Sequence, residues 1–169
     1  MKLPSLADFA NEYTVVVGVA MTGDIEWQNA IRAVYDDGAT FTQTASYTND
    51  LLRWGGGSQN MGETLRTRKY LLQSKEITQK LLPAFQTDLG EYATLRGLYD
   101  AILADPAVPG TIKALIAYKK GYIPGKEAIL QKGITSATKV LSLYDPVLQT
   151  INKQVDEQDR KSNEFRWHK

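Results

Sequence analysis

An all-α fold, a multi-helix bundle with short helices and an extended C-terminal helix, is what the 169-residue sequence predicts. Three observations carry that expectation. Apolar residues recur at three- and four-residue steps along most of the chain. Prolines and glycine-rich stretches interrupt those runs where helices would end. Hydrophobic content of 43% with 23% charged side chains suits a globular chain long enough to bury a core. A single helical domain over 1–169 is expected, with a polar helical tail over about 152–169.

Ser5 and Asp8 form a variant capping box, and Leu6, Phe9, Ala10, Tyr13, Val17 and Ala20 then recur at helical spacing until Thr22-Gly23. This predicts a first helix near 6–21. The competing reading is a helix to residue 12 followed by a strand, because the valine run is strand-prone. Asp24 opens a second helix striped by Trp27, Ala30, Ile31 and Val34, and Asp36-Asp37-Gly38 closes it. That Asp-Gly could instead turn a hairpin into Ala39–Thr44. Phe41, Ala45, Thr48, Leu51 and Leu52 suggest another helical segment before the loop Trp54–Gly62.

A long helix from about 63 to 82 is expected to stop at Pro83. Asp88 and Glu91 then cap a helix striped by Leu89, Tyr92, Leu95, Tyr99, Ile102 and Leu103, which ends at Asp105-Pro106. After the turn Ala107–Gly110, Thr111 caps a short helix that closes at Gly121. Tyr122–Gly125 reads as a further turn. Short helices near 126–132 and 135–144 are separated by Gly133, and Asp145-Pro146 starts the last one. Six to nine helices result. All six prolines fall at expected breaks or termini.

The composition removes several chemistries. With no cysteine there is no disulfide, thiolate nucleophile or cysteine-based metal centre. The one histidine, His168, sits beside the C-terminus, where a general base would be held too loosely to reach its proton. Gly57 to Thr64 has phosphate-loop spacing, but Glu63 stands at the lysine position and reverses the charge facing a phosphate. The expectation is a chain without enzymatic activity, metal or cofactor. The enzymatic rival is a carboxylate-based hydrolase near Gly55–Gly62, with Asp36, Asp37, Asp50, Glu63 and Glu91 as the available acids.

Charge divides along the chain. Residues 1–64 carry −5 and residues 65–169 carry +6, although the formal net charge is only +1. Between 106 and 140 there are six lysines and one acid, Glu127. Such asymmetry suits head-to-tail self-association or an anionic partner.

Tyr118 and Tyr122 flank Lys119-Lys120, a cation and aromatic pairing used by nucleic-acid and headgroup binders, with Lys113 and Lys126 nearby. Arg66, Arg68 and Lys69 form a second basic cluster. Phe165 and Trp167 could anchor the polar tail in a partner groove. These eleven residues are the candidate partner-binding set.

The longest apolar stretch, Tyr13–Met21, is about nine residues, against roughly 20 for a membrane-spanning helix. It also lacks the form of a signal peptide, so a cytoplasmic or virion-associated location is expected. The functional expectation is a non-enzymatic helical subunit of a larger complex, such as a virion, tail, ejection or secretion apparatus. It would act through homo-oligomeric or other protein contacts. The alternative is a basic helical module for nucleic acid or an anionic membrane surface.

Overall fold

The computed structural model describes residues 6–34 and 61–167, and among them it contains five helices and no strand. These are α1 (Leu6–Met21), α2 (Ile25–Val34), α3 (Met61–Ala104), α4 (Gly110–Lys120) and α5 (Ile123–Trp167). The all-α expectation holds, and residues 13–21 are helix. The expected Asp36–Gly38 stop, the 39–54 segment and most of the Trp54–Gly62 loop lie outside the described residues, as does His168.

The first two helices follow local chemistry. Thr22 and Gly23 close α1 through N–H bonds to the Val19 and Ala20 carbonyls, each 3.1 Å. The Asp24 carbonyl accepts from the Trp27 and Gln28 amides to start α2. Phe9, Tyr13, Val16, Val19 and Ala20 on α1 are buried, so tertiary contact offsets the weak helix propensity of the valines.

Three expected breaks, at Pro83, Gly133 and Asp145-Pro146, are absent. Pro83 and Pro146 lie inside helices of 44 and 45 residues, and Gly133 and Asp145 lie inside α5 as well. Asp88 and Glu91 therefore stand in mid-helix and cap nothing. An interior proline removes one helix bond and costs about 3 kcal/mol, but Pro83 is exposed, so water can serve the Gln79 carbonyl it leaves unpaired. Leu81 and Phe85 on either side of it are buried and hold the axis. Tyr144, Val147 and Leu148 do the same around Pro146. The expected turn at Tyr122–Gly125 shortens to Gly121-Tyr122, because Pro124 occupies the first turn of α5, where its missing N–H has no helical partner to lose.

What holds the long helices together is a seven-residue repeat. Lys113, Ile116, Lys120, Ile123, Glu127, Leu130, Ile134, Ala137, Leu141, Tyr144, Leu148, Ile151 and Val155 alternate three- and four-residue steps through α4 and α5, and every one is buried or half-buried. Leu71, Ser74, Thr78, Leu81 and Phe85 supply the matching buried stripe on α3. This period is that of coiled-coil seams. The two helices form a long hairpin, and α4 continues α5 along α3 across the Gly121-Tyr122 junction. Gly121 keeps helical backbone angles there, φ −60° and ψ −22°.

The lower hairpin carries the core. α1 lies along α5, and α2 packs against α1 and α3. Phe9 stacks on Tyr13 and meets Tyr144 edge-on at 4.8 Å, while Trp27 meets Phe85 edge-on at 5.1 Å. Gly133, read from sequence as a break, is instead a point of close approach between α5, α1 and α3. A Cβ there would sit 2.9 Å from Val19 and 3.1 Å from the Phe85 ring.

Candidate functional site

Beyond the α1–α2 corner the hairpin continues as an arm made of the end of α3, of α4 and of the start of α5. Helix α4 has no buried residue. Its seam side faces α3, where Lys120 pairs with Asp100 and, one step down, Arg96 of α3 pairs with Glu127 of α5. The seam in this region therefore interleaves ion pairs with Ile116, Ile123 and Leu130, where the lower hairpin is apolar throughout.

A second stripe explains what the arm exposes. Residues 112, 115, 119, 122, 126, 129, 133, 136, 140, 143 and 147 also alternate three- and four-residue steps, one position before the seam. In its lower half Gly133, Ser136, Val140 and Val147 are buried, and Gly133 and Ser136 meet Val19 and Glu12 of α1. In its upper half Ile112 (47%), Leu115 (52%), Tyr122 (56%) and Ile129 (43%) are exposed, with Tyr118 (65%) beside them. On α3 the stripe Ile77, Ala84, Glu91, Leu98 shows the same change, half-buried for the first two and exposed for the last two. The flank covered by α1 and α2 below is left uncovered above by the described residues.

Tyr118 and Tyr122 meet edge-on with ring centroids 5.1 Å apart, and the Tyr122 hydroxyl donates to the Tyr118 oxygen. That hydrogen bond, and then burial, raise the Tyr122 hydroxyl above its ordinary pKa. Lys119 and Lys126 are exposed within the stripe, and neither joins an ion pair among the described residues.

At the foot of the arm lies a cleft of about 80 Å³ between the α1–α2 corner and the hairpin, lined by Gly23, Trp27, Asp88, Tyr92, Lys126 and Leu130 among others. Trp27 folds over Gly23 so closely that a Cβ there would stand 2.3 Å from its ring. Burial pushes the Asp88 carboxyl upward, and the negative charges of Asp24 and Glu91 add to the shift. The cleft holds little more than a few waters. No group of three metal-ligating side chains occurs among the described residues.

The sequence-predicted residues distribute unevenly. Tyr118, Lys119, Tyr122 and Lys126 share the arm flank, whereas Lys113 and Lys120 face α3. Arg66, Arg68 and Lys69 belong to the first turns of α3, separated from the arm by most of a helix about 60 Å long. Arg68 donates there to the Asn152 side chain at 3.4 Å. Phe165 and Trp167 lie in the last turns of α5. Of the carboxylates weighed for catalysis, Glu63 belongs to the first turn of α3, Glu91 is exposed further along it, and Asp36, Asp37 and Asp50 lie outside the described residues. Sequence reading missed Leu98, Ile112, Leu115 and Ile129. For the last three the signal was the second seven-residue stripe, hidden by the turn expected at 122–125.

No helix among the described residues is long and apolar enough to cross a membrane. Comparison with known proteins finds no matching family model, curated protein or solved structure.

Proposed function

We propose that this protein is a non-enzymatic helical subunit of a larger assembly and acts through protein contacts made by its projecting arm. One observation carries the reading: a stripe that is buried under α1 in the lower hairpin continues, with large apolar side chains, along an arm where nothing among the described residues covers it. Contiguous exposed apolar surface of this kind marks interaction sites. The tyrosine pair supplies rigid, amphipathic anchors suited to a contact centre.

Site-specific cross-linking tests this. With a photo-reactive phenylalanine analogue in place of Tyr118 in cells making the full chain, illumination should yield covalent adducts with polypeptide, either this chain or another. Absence of any such adduct would remove the protein-contact reading.

The second reading, a basic module for nucleic acid or anionic membrane, draws on Lys119 and Lys126 beside exposed tyrosines. It requires binding to duplex, single strand or anionic vesicles that weakens steeply with salt. Absence of binding at low salt excludes it.

A further inference from the structure

We propose that the tip of the arm, residues 105–121, is a strap that leaves and rejoins α3 independently of the rest of the fold. Its hinges are the Asp105–Pro109 turn and Gly121, and its latch is the Lys120–Asp100 ion pair. This holds whether or not the arm meets another protein.

Weak docking singles out the segment. Helix α4 spans 11 residues and has no buried residue, and a helix that short is marginal in water without tertiary contact. Three half-buried side chains, Lys113, Ile116 and Lys120, seat it on α3. Of these only Ile116 is apolar, and Lys113 gives up part of its hydration without an ion pair among the described residues. Lys120 pairs with Asp100, but the two side chains are 36% and 52% exposed, so solvent screens the attraction. Among the described residues no other side-chain hydrogen bond or ion pair joins α4 to α3.

Both ends of the strap can give. The Gly121 N–H bonds back to the Ala117 carbonyl at 3.1 Å and the Tyr122 N–H to that of Lys119 at 3.2 Å, while Pro124 has no N–H to carry the helical ladder on into α5. A glycine at this joint lets the backbone depart from its helical angles. At the other end Pro106 and Pro109 interrupt the helix, and the turn is bonded within itself. The Asp105 carboxylate accepts from the Ala107 amide at 2.9 Å, and the Asp105 carbonyl from that of Val108 at 3.3 Å. Release therefore breaks one exposed ion pair and one half-buried isoleucine contact, and leaves Ile123 and Leu130 buried in the seam below. It bares Ile116 together with the half-buried Ile102 and Leu103 of α3, so ionic strength sets how much apolar surface the tip presents.

Backbone hydrogen exchange of the full chain provides the test. After correction for intrinsic rates, amides 113–120 should exchange at least about 100-fold faster than amides 137–151, where Val140, Tyr144, Val147 and Ile151 are buried. Urea below the unfolding transition should speed exchange at 137–151 and leave 113–120 nearly unchanged, because a local opening exposes little surface. Asp100→Asn should speed exchange at 113–120 by about two- to fivefold with 137–151 unaltered, and about 1 M salt should have the same effect on α4. Equal protection of the two segments, or a parallel response to urea, would mean that α4 opens only with the whole fold and overturns the strap. Unchanged α4 exchange in Asp100→Asn overturns the ion pair as its latch.

Discussion

The lower and upper parts of the hairpin share one repeat and differ in what surrounds it. Below, Val140, Tyr144, Val147 and Ile151 on α5 are buried beside Phe85 and Leu81 on α3, with α1 closing the flank. Above, the seam alternates Ile116 and Ile123 with Lys113, Lys120 and Glu127, and Ile112, Leu115 and Tyr122 are exposed on the flank. The contrast separates two jobs. The lower part supplies burial that stabilises the fold, while the arm gives up burial of its own and keeps apolar surface for another molecule.

The comparison breaks most visibly at Phe85. Phe85→Ala should cost about 4 kcal/mol, since the ring is fully buried against Trp27 and the α5 backbone at Gly133. Urea unfolding followed by circular dichroism measures it, and a loss below about 1 kcal/mol would mean that the core is not centred there. Next comes Gly133→Ala. Crowding against Val19 and Phe85 costs about 1–3 kcal/mol, offset by up to about 1 kcal/mol of helix propensity, so a net fall in melting temperature is expected. A gain in stability would show that α1 is not seated on α5 at this point.

Two carboxyl groups sharpen the contrast through pH. Glu12, on α1, is held below its ordinary value of 4.5 by the Ser136 hydrogen bond first and by Lys139, 3.1 Å away, second. Its contribution to stability is therefore present above pH 4.5 and is lost as pH falls through the lowered value. Ser136→Ala should cost about 1 kcal/mol at neutral pH and flatten this acid loss in a pH series of unfolding curves. Asp88, where the arm begins, has the opposite sign. Its raised pKa means that ionisation penalises the fold, fully above the raised value and progressively less as pH falls towards 3.8. Asp88→Asn should give a small stabilisation at neutral pH that disappears in acid. The smallest effect belongs to the arm itself: Leu115→Ala and Tyr118→Ala, at half-exposed or greater positions, should change monomer stability by less than about 0.5 kcal/mol. A large loss at either would show that the arm is covered within one chain.

Much of this is legible in the sequence. The boundaries of α1 and α2 follow from Thr22-Gly23 and Asp24, and the strand-prone valines are helical because Phe9, Tyr13 and Ala20 share their helical face. Tyr118, Lys119, Tyr122 and Lys126 stand out from the mixture of aromatic and cation alone. Pro83, Pro124, Gly133 and Pro146 mislead for a common reason. Each is a helix breaker by local propensity, and each lies in a helix fixed by buried neighbours: at Pro83 and Pro146 their contacts outweigh a lost hydrogen bond, at Gly133 the entropy cost of glycine, and at Pro124 the first turn has no bond to lose. The seven-residue spacing from Lys113 to Val155 runs straight through three of these positions, so the overriding signal is present and is masked when each break is read singly.

By itself the sequence determined the class of secondary structure, the absence of thiol chemistry and the separation of charge, because these depend on residue type and local spacing. Only the tertiary structure decided that short helices fuse into a hairpin, that Gly133 is a contact point, and that the described residues leave one flank of the arm open. Those outcomes depend on which surfaces meet, and a stripe of leucine and tyrosine has the same spacing whether or not another helix lies on it.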